Sequence, residues 1–337
     1  MYAWQLEEFG LDNLRLAERP TPEPGPGEIL VKVSAVSLNY RDKAIVDGVY
    51  DPDKMPKNLI PVNDAAGVVA GVGPGVTEWQ IGDRVMSHFY AHWLDGAPAR
   101  DEPDWCLGGP RDGGLAEYMI LEAASAVPTP ANLTDEQAST LPIAALTAWF
   151  SLLNYANIQT GQSVVIQGTG GVSLFAVQIA SALGAHVIAT SSSDEKLRKV
   201  AELGATDLIN YRTTPNWEEQ VRKLTNGDGA DLVIDVVGGE GLNQSVHATR
   251  AGGHIALVGF LGGQIAPLDV LPMLFSQATI RGIAVGHRRA FLDMNAFIEQ
   301  HGLQPVIDTV YAFSDAHEAY HHLARGAFGK IVIRVAE

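Results

Sequence analysis

The chain predicts an α/β protein in which a β-rich domain precedes a doubly wound parallel sheet. Three observations carry this. A glycine turn, Gln167-Gly168-Thr169-Gly170-Gly171-Val172-Ser173, lies between an apolar run at 163–166 and a helical pattern. Beyond it, strand-like and helical segments alternate, the pattern of a parallel sheet covered on both faces. Before about residue 125 the apolar runs are instead short and β-like, separated by Gly- and Pro-rich turns.

The elements follow in order. Gly27-Glu28-Ile29-Leu30-Val31 opens a strand after the Pro/Gly-rich stretch 20–26. Asp64-Ala65-Ala66-Gly67-Val68-Val69 opens a second, closing at Pro74-Gly75, and Gly82-Asp83-Arg84-Val85-Met86 a third. Residues 90–113, rich in Asp, Pro, Gly and Arg, read as an extended surface loop, and 114–121 returns to strand. Thr134 with Gln137 three residues on is a capping box, so a helix is expected there. Strands are then expected at 163–167, 186–190, 207–210, 231–237, 253–258 and 279–285, which suits the spatial order 3-2-1-4-5-6. The end reads as a helix at 288–301, a strand at 306–313, a helix capped by Ser314 and a strand at 330–335. That segment is too short for a core of its own, so the predicted domains are 1–124 completed by 288–337, and 125–287.

Bulk properties narrow the function. Of 337 residues, 46% are hydrophobic and 18% charged, and the net charge of −16 argues against nucleic acid or an anionic membrane as partner. No apolar run approaches the roughly 20 residues that span a bilayer. The N-terminus lacks the basic and apolar regions of a signal peptide. A single cysteine, Cys106, leaves no internal disulfide and no multi-cysteine metal site, so a cytoplasmic protein is expected.

The glycine turn carries the chemistry. Strand, turn, helix and strand form the Rossmann dinucleotide-binding unit. Gly168 suits the tight turn. Gly170 lets the backbone approach a pyrophosphate, and Gly171 and Val172 open a helix whose N-terminus favours negative charge. Ser173 replaces the third glycine of the fingerprint. An NAD-binding chain usually ends its second strand on an acid that holds the ribose hydroxyl. Here the strand runs into Thr190-Ser191-Ser192-Ser193, which suits the 2′-phosphate of NADP(H). Asp194 lies close by and opposes that preference. Val237, Gly259 and Phe260 end the fourth and fifth strands, where the switch-point rule places the nicotinamide.

With these residues in view, the chain resembles the medium-chain dehydrogenase/reductase superfamily over nearly its whole length. The resemblance rests on Gly27-Glu28-Ile29-Leu30-Val31, Ser37-Leu38-Asn39-Tyr40-Arg41-Asp42, Gly82-Asp83-Arg84-Val85, Leu141-Pro142-Ile143-Ala144-Ala145-Leu146-Thr147-Ala148-Trp149 and Gly168-Thr169-Gly170-Gly171-Val172. It implies a GroES-like catalytic domain, a Rossmann domain, a cleft between them, and a homodimer formed through the edge strand near 279–285. The positions matching the family's catalytic zinc ligands are Asn39, Asn63 and Ile143, which are poor ligands or none. The loop matching the structural zinc site holds only Cys106. The chain therefore resembles the zinc-free, quinone oxidoreductase-like branch, which also includes some enoyl reductases.

That resemblance implies NADPH-dependent hydride transfer to a small-molecule quinone or α,β-unsaturated carbonyl, with NADP(H) and no zinc. Ser192, Lys196 and Tyr211 match residues that hold the 2′-phosphate, and Thr147 touches the cofactor. Asn39 is the first candidate for a polar group beside nicotinamide and substrate, with Tyr40, Arg41 and Tyr50 as further donors. Phe89 matches a substrate-pocket residue, and Asp42 a structural acid. Two other readings stay open: a zinc-type alcohol dehydrogenase, and a non-catalytic, crystallin-like NADPH-binding protein.

Remaining motifs read as structural. His317-Glu318-Ala319-Tyr320-His321 matches the H-E-x-x-H pattern, but Ala316, Ala319, Tyr320 and Leu323 form an amphipathic stripe that puts both histidines on the solvent side. His88 and His92 read as loop or strand-end histidines. Trp93 and Trp105 either shape a lid or pin the long loop. No G-x-S-x-G elbow is present, and Cys106 has no activating partner in sequence.

Overall fold

In the computed structural model, which describes residues 1–336, the chain opens with β1 (Tyr2–Leu6) and β2 (Leu14–Glu18), an antiparallel pair. The long strand β3 (Glu28–Leu38) follows. Its first half alternates, burying Ile29, Val31 and Val33 while Lys32 faces out, and its last four residues are wholly buried. It pairs antiparallel with β4 (Asp64–Val72) and β6 (Tyr118–Glu122); β4 pairs with β5 (Arg84–Met86), and β5 with β7 (Val127–Pro128). Between β3 and β4 lies the short helix α1 (Tyr40–Val46), whose Asp42 carboxylate accepts the Asn39 N–H at 2.7 Å. The helix α2 (Asp135–Ala138) begins with the expected capping box: Thr134 Oγ1 accepts from the Gln137 N–H, and Gln137 Oε1 from the Thr134 N–H. It packs on β3 and β4. The first unit of the chain accordingly runs to Leu146, past the division read at 124, and resumes at His287.

The second unit, Thr147–Gly286, is entered within a helical stretch in which α3 (Leu146–Trp149) joins two wider π-type turns, Leu141–Ala145 and Phe150–Tyr155. Its elements alternate without exception: β8 (Ser163–Gln167), α4 (Gly171–Ala182), β9 (His186–Ser191), α5 (Asp194–Glu202), β10 (Asp207–Asn210), α6 (Trp217–Leu224), β11 (Ala230–Asp235), α7 (Leu242–Ala248), β12 (Thr249–Leu257), α8 (Val270–Ser276) and β13 (Thr279–Gly282). All six strands are parallel in the order β10-β9-β8-β11-β12-β13, the doubly wound 3-2-1-4-5-6 arrangement. The central strand β8 is buried at every position, which is why it reads as a continuous apolar run. The fourth strand ends at Asp235, two residues short of the expected 237, because Asp235 Oδ1 turns the chain by accepting the Val237 and Gly238 N–H groups.

The chain then returns to the first unit with α9 (Arg288–His301), β14 (Ile307–Ala312), α10 (Ala316–Arg325) and β15 (Lys330–Arg334). Here β15 pairs with both β14 and β3, so the terminal segment completes the first sheet. Tyr320, Ile331 and Ile333 share one core with Ile29, Val33 and Val36.

Three readings are corrected. Residues 90–113 are not a surface loop throughout: Tyr90, Ala91, Trp93, Glu102, Cys106 and Leu107 are buried. Trp93 pins the loop through its own carbonyl, which accepts the Arg288 N–H at 3.0 Å, and an edge-on contact with His287. Ser314 is not the cap of α10; it sits in a preceding 3-10 turn, Phe313–Asp315. His317 does not face solvent, because its ring lies 5.2 Å from that of Trp4 and its Nε2 sits 2.7 Å from the Leu14 carbonyl.

Candidate functional site

In the second unit, strand order reverses at β8, so β9 and β11 depart to opposite sides of its C-terminal end. Gly168 takes φ +75°, a left-handed conformation that favours glycine. Gly170 is the N-cap of α4, and a Cβ built there meets no atom within 4 Å. Its glycine therefore leaves free space in front of a helix start, as phosphate approach requires. Ser173 is buried, and its Oγ donates to the Gln167 carbonyl at 2.7 Å, tying the first turn of α4 back to β8. The small residue in place of the third glycine thus adds a bond that glycine cannot make.

The expected 2′-phosphate residues gather at one sheet edge. Register places Asn210 of β10 beside Ser191 of β9, and the Tyr211 N–H donates to the Ser191 carbonyl at 3.1 Å. Ser193 caps α5 by accepting the Lys196 N–H, which sets Lys196 in the first turn next to Ser192. Among the described residues the Lys196 ammonium has no ion-pair partner within 4.0 Å, and the Tyr211 ring is exposed. Asp194, the acid that opposes NADP, accepts from Asn210 Nδ2 at 2.6 Å.

Val237 follows β11, and Gly259 and Phe260 follow β12, on neighbouring parallel strands. The Gly259 N–H donates to the Asp235 carbonyl at 3.2 Å, and the Gly262 N–H to the Val237 carbonyl at 2.7 Å. A Cβ on Gly259 would lie 1.9 Å from the Val236 carbonyl oxygen, so only glycine permits this approach. A buried chain that the sequence did not reveal holds the floor of this region: Gln167 Nε2 donates to Ser245 Oγ at 3.0 Å, and Ser245 Oγ to Asp235 Oδ2 at 2.7 Å. Thr147 is buried at the start of this unit, its carbonyl accepting from Ser151 Oγ.

In the first unit, Asn39, Tyr40 and Arg41 lie where β3 passes into α1. The half-buried Asn39 donates from Nδ2 to Asp64 Oδ2 at 2.9 Å and accepts at Oδ1 from Lys330 Nζ at 2.6 Å. Lys330 is 3% exposed and lies 3.4 Å from Asp64 Oδ2, itself fully buried. Asp64 Oδ1 accepts from Asn63 Nδ2 at 2.7 Å. Lys330 is the member of this polar cluster that sequence reasoning missed; the only signal was a lysine opening an otherwise apolar terminal strand. Burial pushes the Asp42 carboxyl up to about 6, against the pull of the Arg41 guanidinium, with Asp64 adding to the rise. Burial also lowers the Lys330 ammonium below the usual lysine value, with Asp64 acting in the opposite sense.

Arg41 does not point a free guanidinium at a substrate. It donates to the carbonyls of Leu107 and Gly109, and lies 5.1 Å over the Tyr50 ring and 4.9 Å over the Phe89 ring. Arg41, Tyr50 and Phe89 therefore form one stacked group, while Tyr40 is 42% exposed. Val62 just before the polar cluster has φ 72°, a strained value for a β-branched residue. His88 is buried against Phe291. Burial pushes the Cys106 thiol up to about 12, which makes it a poor nucleophile. Among the described residues, no three His, Cys, Asp or Glu side chains group as a metal site, and no helix is long and apolar enough to cross a membrane.

A doubly wound sheet opened by a glycine turn, together with a separate β unit bearing a buried polar cluster, is the architecture of an oxidoreductase built on a nucleotide-binding fold. Comparison with known proteins agrees. Residues 25–131 match the alcohol dehydrogenase GroES-like domain and residues 171–300 the zinc-binding dehydrogenase domain. A zinc-type alcohol dehydrogenase-like protein of Schizosaccharomyces pombe is 41% identical, with 99% of each chain covered. A crotonyl-CoA reductase of Streptomyces collinus is 28% identical over 96% of this chain and 83% of its own. A quinone oxidoreductase of Sus scrofa is 28% identical over 93% of this chain and 90% of its own. Among solved structures, one from Sinorhizobium meliloti 1021 is 44% identical with a TM-score of 0.93, covering 99% of this chain and 98% of its own. A mycobacterial protein solved with NADPH is 27% identical with a TM-score of 0.83, covering 99% of this chain and 100% of its own. This chain belongs to the medium-chain dehydrogenase/reductase superfamily.

Proposed function

We propose that the protein is a zinc-independent, NADPH-dependent oxidoreductase acting on a quinone or an α,β-unsaturated carbonyl. The observation that carries the zinc-free reading is the contact between Lys330 Nζ and Asn39 Oδ1 at 2.6 Å. A zinc ion needs anionic or imidazole donors aimed at it. Of the three positions in question, Asn39 has its oxygen committed to an ammonium, Asn63 bonds Asp64 through its nitrogen, and Ile143 is aliphatic. A buried ammonium beside the same atoms would repel a dication. The residues do not fit zinc.

The residues of the second unit do fit NADPH. Gly170, Gly171 and Val172 stand at the start of α4, where backbone N–H groups and the open space at Gly170 suit the pyrophosphate, while Gly168 makes the turn, its own N–H donating to the Thr190 carbonyl at 2.8 Å. Ser192, Lys196 and Tyr211 offer hydroxyls and a cation to the 2′-phosphate, Ser191 is buried at the end of β9, and the acid nearby, Asp194, accepts from Asn210 Nδ2. Val237, Gly259 and Phe260 line the nicotinamide side, with Thr147 as a further cofactor contact. When bound, the reduced nicotinamide supplies hydride. Negative charge then builds on the substrate oxygen, and an oriented donor such as Asn39 Nδ2 stabilises it in place of a Lewis acid. Phe89, Tyr50 and Tyr40 flank this region, with Arg41 holding Phe89 and Tyr50 in place. We further propose a cytoplasmic homodimer formed through β13 and α8. Val270, Leu271, Leu274 and Phe275 are exposed on α8, and β13 pairs only with β12 among the described strands.

The test is NADPH oxidation against a panel of quinones, enones, aldehydes and ketones, with and without chelator. Turnover of quinones or enones that resists chelation is the expected result. Chelator-sensitive alcohol oxidation, with about one tightly held zinc per chain, would establish the zinc-type alternative. NADPH binding without turnover of any panel member would establish the non-catalytic one.

A further inference from the structure

We propose that Lys330 is a positioning residue that orients the Asn39 carboxamide for work on the substrate, an inference that rests on the reading of Asn39 given above. Lys330 opens β15, whose next three residues, Ile331, Val332 and Ile333, are fully buried. An apolar residue would suit that place, and burying an ammonium there is costly unless oxygen atoms surround it. Two do: Asn39 Oδ1 at 2.6 Å and Asp64 Oδ2 at 3.4 Å. Asp64 Oδ2 in turn accepts from Asn39 Nδ2 at 2.9 Å.

The three groups close a ring of contacts that specifies the amide. Its oxygen faces the cation and its nitrogen faces the carboxylate. A flipped amide would set NH2 against the ammonium and oxygen against the carboxylate, two repulsive contacts in a buried setting. The contacts favour this setting of the amide over its flip. The ammonium also draws electron density from the amide oxygen, which makes the Nδ2 hydrogens stronger donors. Asp64 uses one of them. Asn39 is only half-buried, so the second remains for a ligand oxygen. A purely structural Lys330 would neutralise Asp64 and nothing more. The bond to Asn39 Oδ1, the shorter of its two contacts, is what a structural role leaves unexplained.

A double-mutant cycle in the full-length chain separates the two roles, using the best substrate of the NADPH-oxidation panel. Lys330→Met is expected to lower kcat about tenfold while NADPH affinity stays within about twofold, and Asn39→Ala to lower kcat at least as much. In the Asn39→Ala background, Lys330→Met is expected to cost less than about twofold more. An undiminished penalty in that background, or a Lys330→Met enzyme within twofold of the native kcat, would overturn the proposal. Should Lys330→Met fail to fold, Lys330→Arg serves as the cation-retaining variant, and side-chain amide NMR of the native chain decides independently. The Asn39 NH2 signal, assigned by its loss in Asn39→Ala, is expected to show one proton exchanging at least about tenfold slower than a free amide. Two protons that both exchange at the rate of a free amide would refute the positioning. That measurement stands even if no panel compound is turned over, so failure of the activity and failure of the positioning are read separately.

Discussion

Ser173 Oγ donates to the Gln167 carbonyl at 2.7 Å, closing the glycine turn on itself from strand end to first helical turn. Both residues are buried. Removing the hydroxyl leaves that carbonyl without this donor, so Ser173→Ala is expected to cost about 1–2 kcal/mol of stability. NADPH affinity should change by less than about twofold, since the hydroxyl faces the strand and not the helix mouth. Thermal unfolding and a fluorescence titration check the two halves. A large loss of affinity with unchanged stability would reverse the assignment.

Gly170 and Gly259 make a contrasting pair. A Cβ at Gly170 meets nothing, whereas one at Gly259 strikes the Val236 carbonyl at 1.9 Å. Gly170→Ala should therefore keep stability within about 1 kcal/mol yet weaken NADPH about tenfold or more by filling the approach space. Gly259→Ala should destabilise by more than about 2 kcal/mol. Denaturant unfolding with and without NADPH distinguishes them.

Lys196 is the cation proposed for the 2′-phosphate site. A charge-assisted hydrogen bond contributes about 1.5–3 kcal/mol, so Lys196→Ala should weaken NADPH by at least about tenfold. NADH lacks that phosphate and should lose less than about twofold. Equal losses for both dinucleotides would show that Lys196 does not act through the 2′-phosphate.

Asp42 gives a pH signature. Its folded pKa of about 6 stands above the ordinary 3.8, so the folded state holds a proton that the unfolded state has released between those values. Stability from this group is therefore greatest below pH 4 and lost as pH rises through about 6, a difference on the order of 3 kcal/mol. Asp42→Asn keeps an acceptor for the Asn39 N–H and removes the titration. Relative to the native chain it should be more stable at pH 8 than at pH 4.5, as measured by melting temperature across that range.

The apolar face of α8 bears Phe275 at 81% exposure and Leu274 at 62%. If this face and β13 meet a second copy, Phe275→Glu should convert a dimer to a monomer in analytical ultracentrifugation at micromolar concentration. A native chain that sediments as a monomer would defeat the dimer.

Local physics made much of this legible in advance. The parallel sheet follows from short continuous apolar runs alternating with segments of 3.6-residue period, signals that each segment carries by itself. The Gly168 turn, the Thr134–Gln137 cap and the missing acid after Thr190 are likewise properties of a few adjacent residues. Strand ends were less legible: the expected strand to 237 stops at Asp235 because a carboxylate folds back on its own chain.

What only tertiary structure decided is where charge is buried. Lys330 and Asn39 stand 291 positions apart, and no periodicity or motif links them; they meet because β15 pairs with β3 at the entrance to α1. The same holds for Arg41, which as a sequence is a free cation and in the fold is bound to the Leu107 and Gly109 carbonyls. Hydrophobic pattern reports which face of an element is inside. It does not report which polar groups share that interior, and the desolvation that makes such a group costly also makes its partner decisive. The glycine turn by itself thus raises the expectation of a dinucleotide site, whereas the contacts of the amide proposed to face the substrate depend on a lysine from the far end of the chain.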